Sequence, residues 1–315
     1  MMAIIDIVGP VFLVVAVGYF SVRIGLFPAA GVSGLIAFVN TFATPCLLFR
    51  AMLTVDFATA FHPAYLASFY AGAFVAFAIG VLAARTVFRR RPGESVVFGF
   101  AAYFSNTVLL GLPIVHRAYG EEALPLIYTI IGLHAPILMS FGMVMMELAR
   151  RDAEPLGRAL LGAAKRVATN PLLIGIMLGL LTNLSGIELP EVLDAATQTM
   201  ALAVLPAALF GLGGALNEYK LQESWGQAVA AAGLKLVLHP ALVLLATHYL
   251  FHLPWELVRV AVVTAAMPSG LNVYIFATFY KRATDVAANT VLIATVMAVA
   301  TISLWLVVLD RLAPV

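Results

Sequence analysis

The chain has 315 residues, of which 63% are hydrophobic and 11% are charged, and its mean hydropathy is +1.01. A soluble core of this length cannot hide so much apolar surface, so the composition excludes a soluble globular protein and indicates an integral membrane protein. The formal net charge is only +2, and the basic residues lie in short connections, which argues against a nucleic-acid partner.

Apolar runs of about 20 residues can cross a bilayer as helices, and the chain contains about ten of them. In chain order they lie near 3–22, 31–53, 63–86, 95–117, 123–147, 170–187, 192–216, 226–250, 255–279 and 286–309. The first run contains Asp6 and Pro10 and no basic leading segment, so we interpret it as a retained helix rather than a cleaved signal. The predicted fold class is an all-α polytopic membrane protein.

Basic residues concentrate in alternate connections between these runs. The connections near 85–91 and 150–166 carry half of the Lys and Arg residues, whereas those near 54–62, 188–191 and 251–254 hold almost none. By the positive-inside rule the basic connections are cytoplasmic. With an even number of spans, both termini are then expected outside, and membrane lipid surrounds the chain.

Prolines repeat at a fixed distance in the two halves of the chain. Pro10 and Pro45 are 35 residues apart, as are Pro171 and Pro206, and each pair marks the first two spans of a half. Because each half holds five spans, an odd number, the second half must enter from the opposite side, which gives a 5+5 inverted repeat. Chance alignment of prolines is the alternative. The predicted parts are a first five-helix repeat in 1–149, a cytoplasmic connection in 150–169 and a second repeat in 170–315.

The fourth span of each half contains residues that interrupt an apolar helix. One run goes from Asn106 to Pro113, and the other from Pro268 to Asn272. Proline removes a backbone donor and crowds the carbonyl four residues back, so the helix opens where lipid cannot satisfy its polar groups. Such broken backbone is tolerated only inside protein or beside a polar cavity, and a pair of broken helices indicates a carrier's binding site.

The interruptions predict a site for an anion. Half-helix N-termini carry partial positive charge and unpaired N–H groups, and nearby amides and hydroxyls add donors. For each polar residue a helix-capping role is the alternative. The candidate substrate-binding residues are Ser105, Asn106 and Pro113 in the first interruption, Pro268, Ser269 and Asn272 in the second, Asn40 and Thr44 beside Pro45, and Lys235.

Lys235 is a charge placed deep in the eighth span. It lies ten residues from the edge near Trp225, or about 15 Å along a helix, too far for easy snorkelling. No carboxylate lies inside a span to pair with it. Lys235 therefore either faces an anionic substrate or is held by backbone carbonyls freed at the broken helices. Arg50 and Arg259 lie near the outer edge, where anchoring explains them.

Other reactive groups are few. Cys46 is the only cysteine, so an intrachain disulfide and a thiolate metal cluster are excluded. His116, His134 and His239 are expected to pack as neutral groups, and they are the available carriers if transport is coupled to protons. No metalloprotease, serine hydrolase or phosphate-loop motif occurs, so we expect no enzyme, no cofactor and no metal site.

The run from Phe104 to Val115 (FSNTVLLGLPIV), followed by Tyr119-Gly120, resembles a crossover segment of the auxin efflux carrier family, which includes plant carriers and bacterial malonate-type permeases. The run from Ala266 to Ala277 (AMPSGLNVYIFA) is similar to the family's second crossover. The resemblance implies two broken crossover helices, a scaffold of spans 1, 2, 6 and 7, and a mobile unit that moves an organic anion by an elevator mechanism. It also implies that Asn106 contacts the substrate carboxylate and that Pro113 and Pro268 break the helices.

Two departures from the plant carriers favour a bacterial-type permease of the inner membrane. Val273 stands where plant carriers have a second proline, and the connection between the halves is short and basic. The predicted function is a secondary transporter of small organic anions, either a malonate-like dicarboxylate or an auxin-like monocarboxylate. A passive anion channel and a receptor that uses Lys235 as a Schiff base are the alternatives. A coupling ion, H+ or Na+, and a homodimeric assembly stay open.

Overall fold

A computed structural model describes residues 2–53, 62–149, 161, 165, 168–218 and 224–313 of the chain. Most of the predicted connection 150–169 lies outside the described residues, as does the predicted connection at 54–61. Within the described ranges the chain is almost entirely helical. The predicted all-α class is therefore confirmed.

The helices follow the apolar runs. In the first half they are α1 (Met2–Arg23), α2 (Ala29–Phe38), α3 (Thr44–Leu53), α4 (Pro63–Thr86), α5 (Pro92–Tyr103), α6 (Leu112–Tyr119) and α7 (Leu124–Ala149). In the second half they are α8 (Pro171–Ser185), α9 (Glu191–Leu202), α10 (Val204–Ala215), α11 (Trp225–Gly233), α12 (His239–Leu244), α13 (Trp255–Ala265), α14 (Asn272–Tyr280) and α15 (Thr284–Leu312).

Seven helical stretches of the described chain are long and apolar enough to cross a membrane. They are Ile5–Arg23, Ala29–Leu53, Pro63–Thr86, Glu121–Ala149, Glu191–Ala215, Trp225–Leu250 and Thr284–Leu312. The apolar helix α8 is shorter, and the predicted fourth and ninth spans are each divided by non-helical residues. The protein is therefore a polytopic membrane protein.

Three π turns allow helices to pass a proline without opening. Each π turn ends two residues before its proline: Val39–Ala43 before Pro45, Thr107–Gly111 before Pro113 and Leu234–Leu238 before Pro240. In each case the residue before the proline donates its N–H to the carbonyl five residues back. The wider turn absorbs the missing donor and the bulky ring of proline, and such turns are frequent at functional sites.

The position of the first interruption differs from the prediction. Pro113 lies inside the helical run that continues from the π turn Thr107–Gly111 into α6, and the chain leaves the helix at 104–106 instead. The π turn accommodates Pro113, so this proline does not break the helix. Pro268, by contrast, lies within the second interruption, between Ala265 and Asn272.

The helices form two packing groups. In the first, α1 and α2 pack against α10, while α3 packs against α8 and α9. In the second, α4 packs against α5 and α12, α15 packs against α11 and α14, and α12 packs against α13. The groups meet where α1 approaches α6 and α15, and where α10 approaches the π turn at 107–111.

Glycines bring the helices of the first group into backbone contact. Gly18 of α1 faces the carbonyl oxygen of Phe210 so closely that an added Cβ would overlap it. Gly179 of α8 faces the carbonyl oxygen of Phe49 in the same way. Small residues that allow close approach are a principal source of helix association in membranes, because lipid provides no hydrophobic driving force between helices.

Gly179→Ala is expected to lower the apparent melting temperature of the detergent-purified protein. The added methyl must push α8 away from α3, and such overpacking costs about 1–3 kcal/mol. Gly34→Ala is the matched control, because nothing lies within 4 Å of a Cβ built on Gly34. Equal melting temperatures for the two variants in a thermal unfolding assay would contradict the close packing of α8 on α3.

Candidate functional site

The two interrupted segments meet and hydrogen-bond to each other. The N–H of Asn106 donates to the carbonyl of Pro268 over 2.8 Å, and the N–H of Gly270 donates to the carbonyl of Phe104 over 3.2 Å. Together they form an isolated antiparallel bridge between Ser105 and Ser269, which we call the crossing. The crossing satisfies part of the backbone that leaves the helices, as the low-polarity interior requires.

Two further contacts hold the crossing in place. The Ser269 hydroxyl donates to the carbonyl of Ala101 over 2.8 Å. The backbone N–H of Ser105 donates to Nε2 of His134 over 3.1 Å. Each interruption is thus fixed by a side-chain contact as well as by the bridge.

Two adjoining cavities lie beside the crossing, and the smaller one borders it directly. The smaller, of about 80 Å³, is lined on its polar side by Ser105, Asn106, Thr107 and His134. The larger, of about 320 Å³, extends from there toward the C-terminal half of α7 and the first turn of α8. The residues that line both cavities are Asn40, Ala135, Leu172 and Asn272.

The structure brings four of the predicted site residues to these cavities. They are Ser105, Asn106, Asn272 and Asn40. The others lie behind the cavity walls and line neither of them: Thr44, Pro113, Lys235, Pro268 and Ser269. Ser269 is fully buried and engaged with Ala101, so in this conformation it supports the crossing rather than facing the cavity.

Asn106 combines a capping role with a free donor group. Its side-chain oxygen accepts the N–H of Leu109 over 3.3 Å and caps the π turn that follows. The residue is 6% exposed and borders the small cavity. No acceptor in the described part of the chain takes the N–H groups of its amide, and a side-chain amide offers two of them. Asn106 can therefore donate into the cavity.

Asn272 lies across the small cavity from the first interruption, at the start of α14. The backbone N–H groups of residues 273–275 already donate to the carbonyls of residues 270 and 271, so the donor that this helix start offers to the cavity is the side-chain amide of Asn272. The cavity thus receives donors from both interruptions.

Lys235 lies fully buried in the π turn at 234–238. Its Nζ donates over 2.6 Å to the carbonyl of Ala265, the last residue of α13. In this conformation a carbonyl at the broken helix holds the lysine, as the second alternative expects, and the role of its charge toward an anion stays a prediction. The only ion pairs between described residues are Arg50–Asp194 and Arg90–Glu94, so no described carboxylate pairs with Lys235.

Two arginines make contacts that the sequence prediction of simple anchoring missed. Arg50 of α3 pairs with Asp194 of α9 over 2.5 Å and donates to Thr197 over 3.1 Å. Arg259 lies 4.7 Å from the ring centroid of Tyr119. The Arg50–Asp194 pair is partly exposed, so it contributes about 0–1 kcal/mol and mainly fixes how α3 and α9 meet.

Four residues that line the cavities are not among the predicted substrate-binding residues: Thr41, His134, Ser140 and Asn170. The sequence had indicated His134 only as a neutral packing group or a proton carrier. Asn170 caps α8 by accepting the N–H groups of Leu172 and Leu173. Its place before Pro171, at the start of the second repeat, was the available signal. His134 and Ser140 lie on α7, which continues through Pro136 without opening, and Pro136 between them was the available signal.

The sequence model of a family described as membrane transport protein matches residues 3–306, so the chain belongs to this family of membrane transporters. The family is one of transporters rather than enzymes, and the resemblance to auxin efflux carriers is confirmed by the relatives that follow.

Relatives of the chain include a bacterial and a plant protein. A Rhizobium meliloti protein named "Putative malonate transporter" is 26% identical over 305 residues, which cover 96% of this chain and 95% of the relative. Auxin efflux carrier component 8 of Arabidopsis thaliana is 26% identical over 251 residues, which cover 65% of this chain and 68% of the relative. The chain is therefore similar over nearly its whole length to a bacterial transporter.

Proposed function

We propose that this protein is a secondary transporter of small organic anions, a malonate-like dicarboxylate or an auxin-like monocarboxylate, which binds beside the crossing. The observation that carries the proposal is the free amide of Asn106, which borders a cavity where two interrupted helices meet. A carboxylate is an acceptor that this amide and the side-chain amide of Asn272 can satisfy.

The charge around the cavities supports an anion over a cation. The lining residues of both cavities are amides, hydroxyls, one histidine and apolar groups, and they include no Asp or Glu. The buried polar side chains of the described chain likewise include no carboxylate, whereas Lys235 is among them. A buried cation without an acidic partner favours negative charge nearby.

The contacts between helices support the inverted repeat and the division into 1–149 and 170–315. One contact joins Gly18 to Phe210, and another joins Gly179 to Phe49. The two glycines are 161 positions apart, and so are the two phenylalanines, so the second contact is the first with the halves exchanged. Pro10 and Pro171 have the same offset. Two inverted copies of one unit would produce such exchanged contacts.

The two packing groups support an elevator mechanism. The first group contains spans 1, 2, 6 and 7, and the second contains the crossing helices. The large cavity lies between them, with Asn40 and Asn170 on one side and Met139 and Asn272 on the other. Sliding the second group along the first would carry a bound anion across the membrane.

The place of the large cavity supports an inward-facing state. It reaches Met143 in the last part of α7 and Asn170 just before α8. The basic connection 150–169 joins these two helices. With that connection on the cytoplasmic side by the positive-inside rule, both termini are outside and the cavity opens to the cytoplasm.

Malonate counterflow in proteoliposomes tests the proposal. We expect uptake of labelled malonate that saturates and that speeds up when unlabelled malonate is loaded inside, because a carrier exchanges substrate through one site. Uptake without such acceleration, together with single-channel currents, would instead support a passive anion channel. Protein-free liposomes are the control.

Thermal shift gives a second measurement, since a ligand that binds the native state raises apparent stability. Malonate and indole-3-acetate are each tested with and without sodium, and sodium-dependent stabilisation would identify Na+ as the coupling ion. If no carboxylate stabilises the protein and the proteoliposomes move only cations or neutral solutes, the proposed function is wrong.

A further inference from the structure

His134 is a buried titratable group at the wall of the small cavity. It lies in the middle of α7 and is 2% exposed. Its ring packs at 4.8 Å from that of Phe104 and at 5.9 Å from that of Phe69. Its Nε2 accepts the backbone N–H of Ser105, so the ring contacts the crossing directly.

The hydrogen bond from Ser105 fixes where the ring carries its proton. An Nε2 that accepts a hydrogen bond has no proton of its own, so the neutral ring carries its single proton on Nδ1. Nδ1 is buried and has no partner among the described residues. A second proton could bind only at Nε2, where it would displace the N–H of Ser105. Protonation of His134 is thereby tied to the geometry of the crossing.

No carboxylate is among the buried polar side chains of the described residues, so no buried acid among them can hold a proton on His134 without substrate. The eighth span contributes one cation, Lys235, and one potential cation, His239. Both are near enough for electrostatic interaction with His134. From α4, Tyr70 donates to the carbonyl of Ile130, and from α5, Tyr103 donates to that of Leu138, one turn to either side of His134. A carboxylate in the small cavity would be the nearest negative charge.

We propose that His134 couples transport to protons, so that one proton enters on Nε2 with each substrate molecule and leaves with it on the other side. This inference rests on the proposed function. The protonated ring and the carboxylate form a pair of opposite charges inside the cavity, and the proton returns to water when the anion leaves. The carrier is then an anion and proton symporter.

Malonate entry into proteoliposomes with a trapped pH dye tests this coupling. In the wild type we expect the interior to acidify as malonate enters, and uptake to be faster at about pH 6 than at about pH 8, because protonation favours loading. His134→Gln keeps an acceptor for the N–H of Ser105 but cannot titrate. We expect this variant to retain measurable malonate counterflow, with acidification reduced to the level of protein-free liposomes and with little pH dependence.

His239→Gln is the matched control. His239 is also fully buried and also packs against Phe69, at 5.8 Å, but it lines neither cavity. We expect this variant to keep malonate-driven acidification. If the wild type shows no malonate counterflow, the proposed function fails for this substrate.

If net malonate entry proceeds without acidification, or if acidification survives in His134→Gln, the coupling role of His134 is wrong. Loss of both activities in a folded His134→Gln variant would show that the residue only holds the crossing, and would also overturn the inference.

Discussion

Asn106→Asp is expected to lower malonate counterflow by about three orders of magnitude while leaving the protein folded. The carboxylate that replaces the amide can still accept the N–H of Leu109 and cap the π turn. It also places a negative charge where the substrate carboxylate is proposed to bind. Like charges about 4 Å apart repel by about 4 kcal/mol at an effective dielectric constant of about 20. Since about 1.4 kcal/mol is a factor of ten, this corresponds to about a thousandfold loss.

Asn170→Asp is the matched control for this change. Asn170 lines the large cavity but not the small one, and its side-chain oxygen caps α8 just as that of Asn106 caps the π turn. We expect a loss of less than about tenfold there, because a charge farther from the site acts more weakly. Counterflow that falls equally in both variants would show that the carboxylate does not bind at the crossing.

Lys235→Met is expected to preserve the melting temperature and to reduce malonate counterflow by about thirtyfold. Removing the hydrogen bond to Ala265 costs about 1–3 kcal/mol. Removing a buried charge recovers a desolvation penalty of similar size, and apolar replacements of buried ions are often neutral or stabilising. A methionine side chain has nearly the same length and fills the space. The transport loss corresponds to about 2 kcal/mol of attraction for the anion.

Lys281→Met provides the comparison, because Lys281 is an exposed lysine after the end of α14. We expect wild-type transport from it. Unchanged counterflow in Lys235→Met would mean that Lys235 serves packing alone, and the role of its charge in anion binding would be wrong.

The local sequence pattern predicted which two helices are interrupted, but not the residue at which each helix opens. Pro268 lies within an interruption, whereas Pro113 lies inside a helix. Both prolines lack a donor, and the difference comes from the π turn before Pro113, whose stability depends on the helices packed around it. Ser105 and Ser269 likewise pair by tertiary geometry, since they are 164 residues apart.

The amino-acid sequence by itself determined that the chain lies in a membrane, which residues form its apolar helices, and which polar groups sit at membrane depth. Length, hydropathy and the missing donor of proline are local properties, so they can be read along the chain. Only the tertiary structure decided which of those polar groups face a cavity, that Lys235 is held by Ala265, and that His134 contacts the crossing. Those facts depend on contacts between helices distant in sequence, and hydropathy carries no record of which helix faces meet.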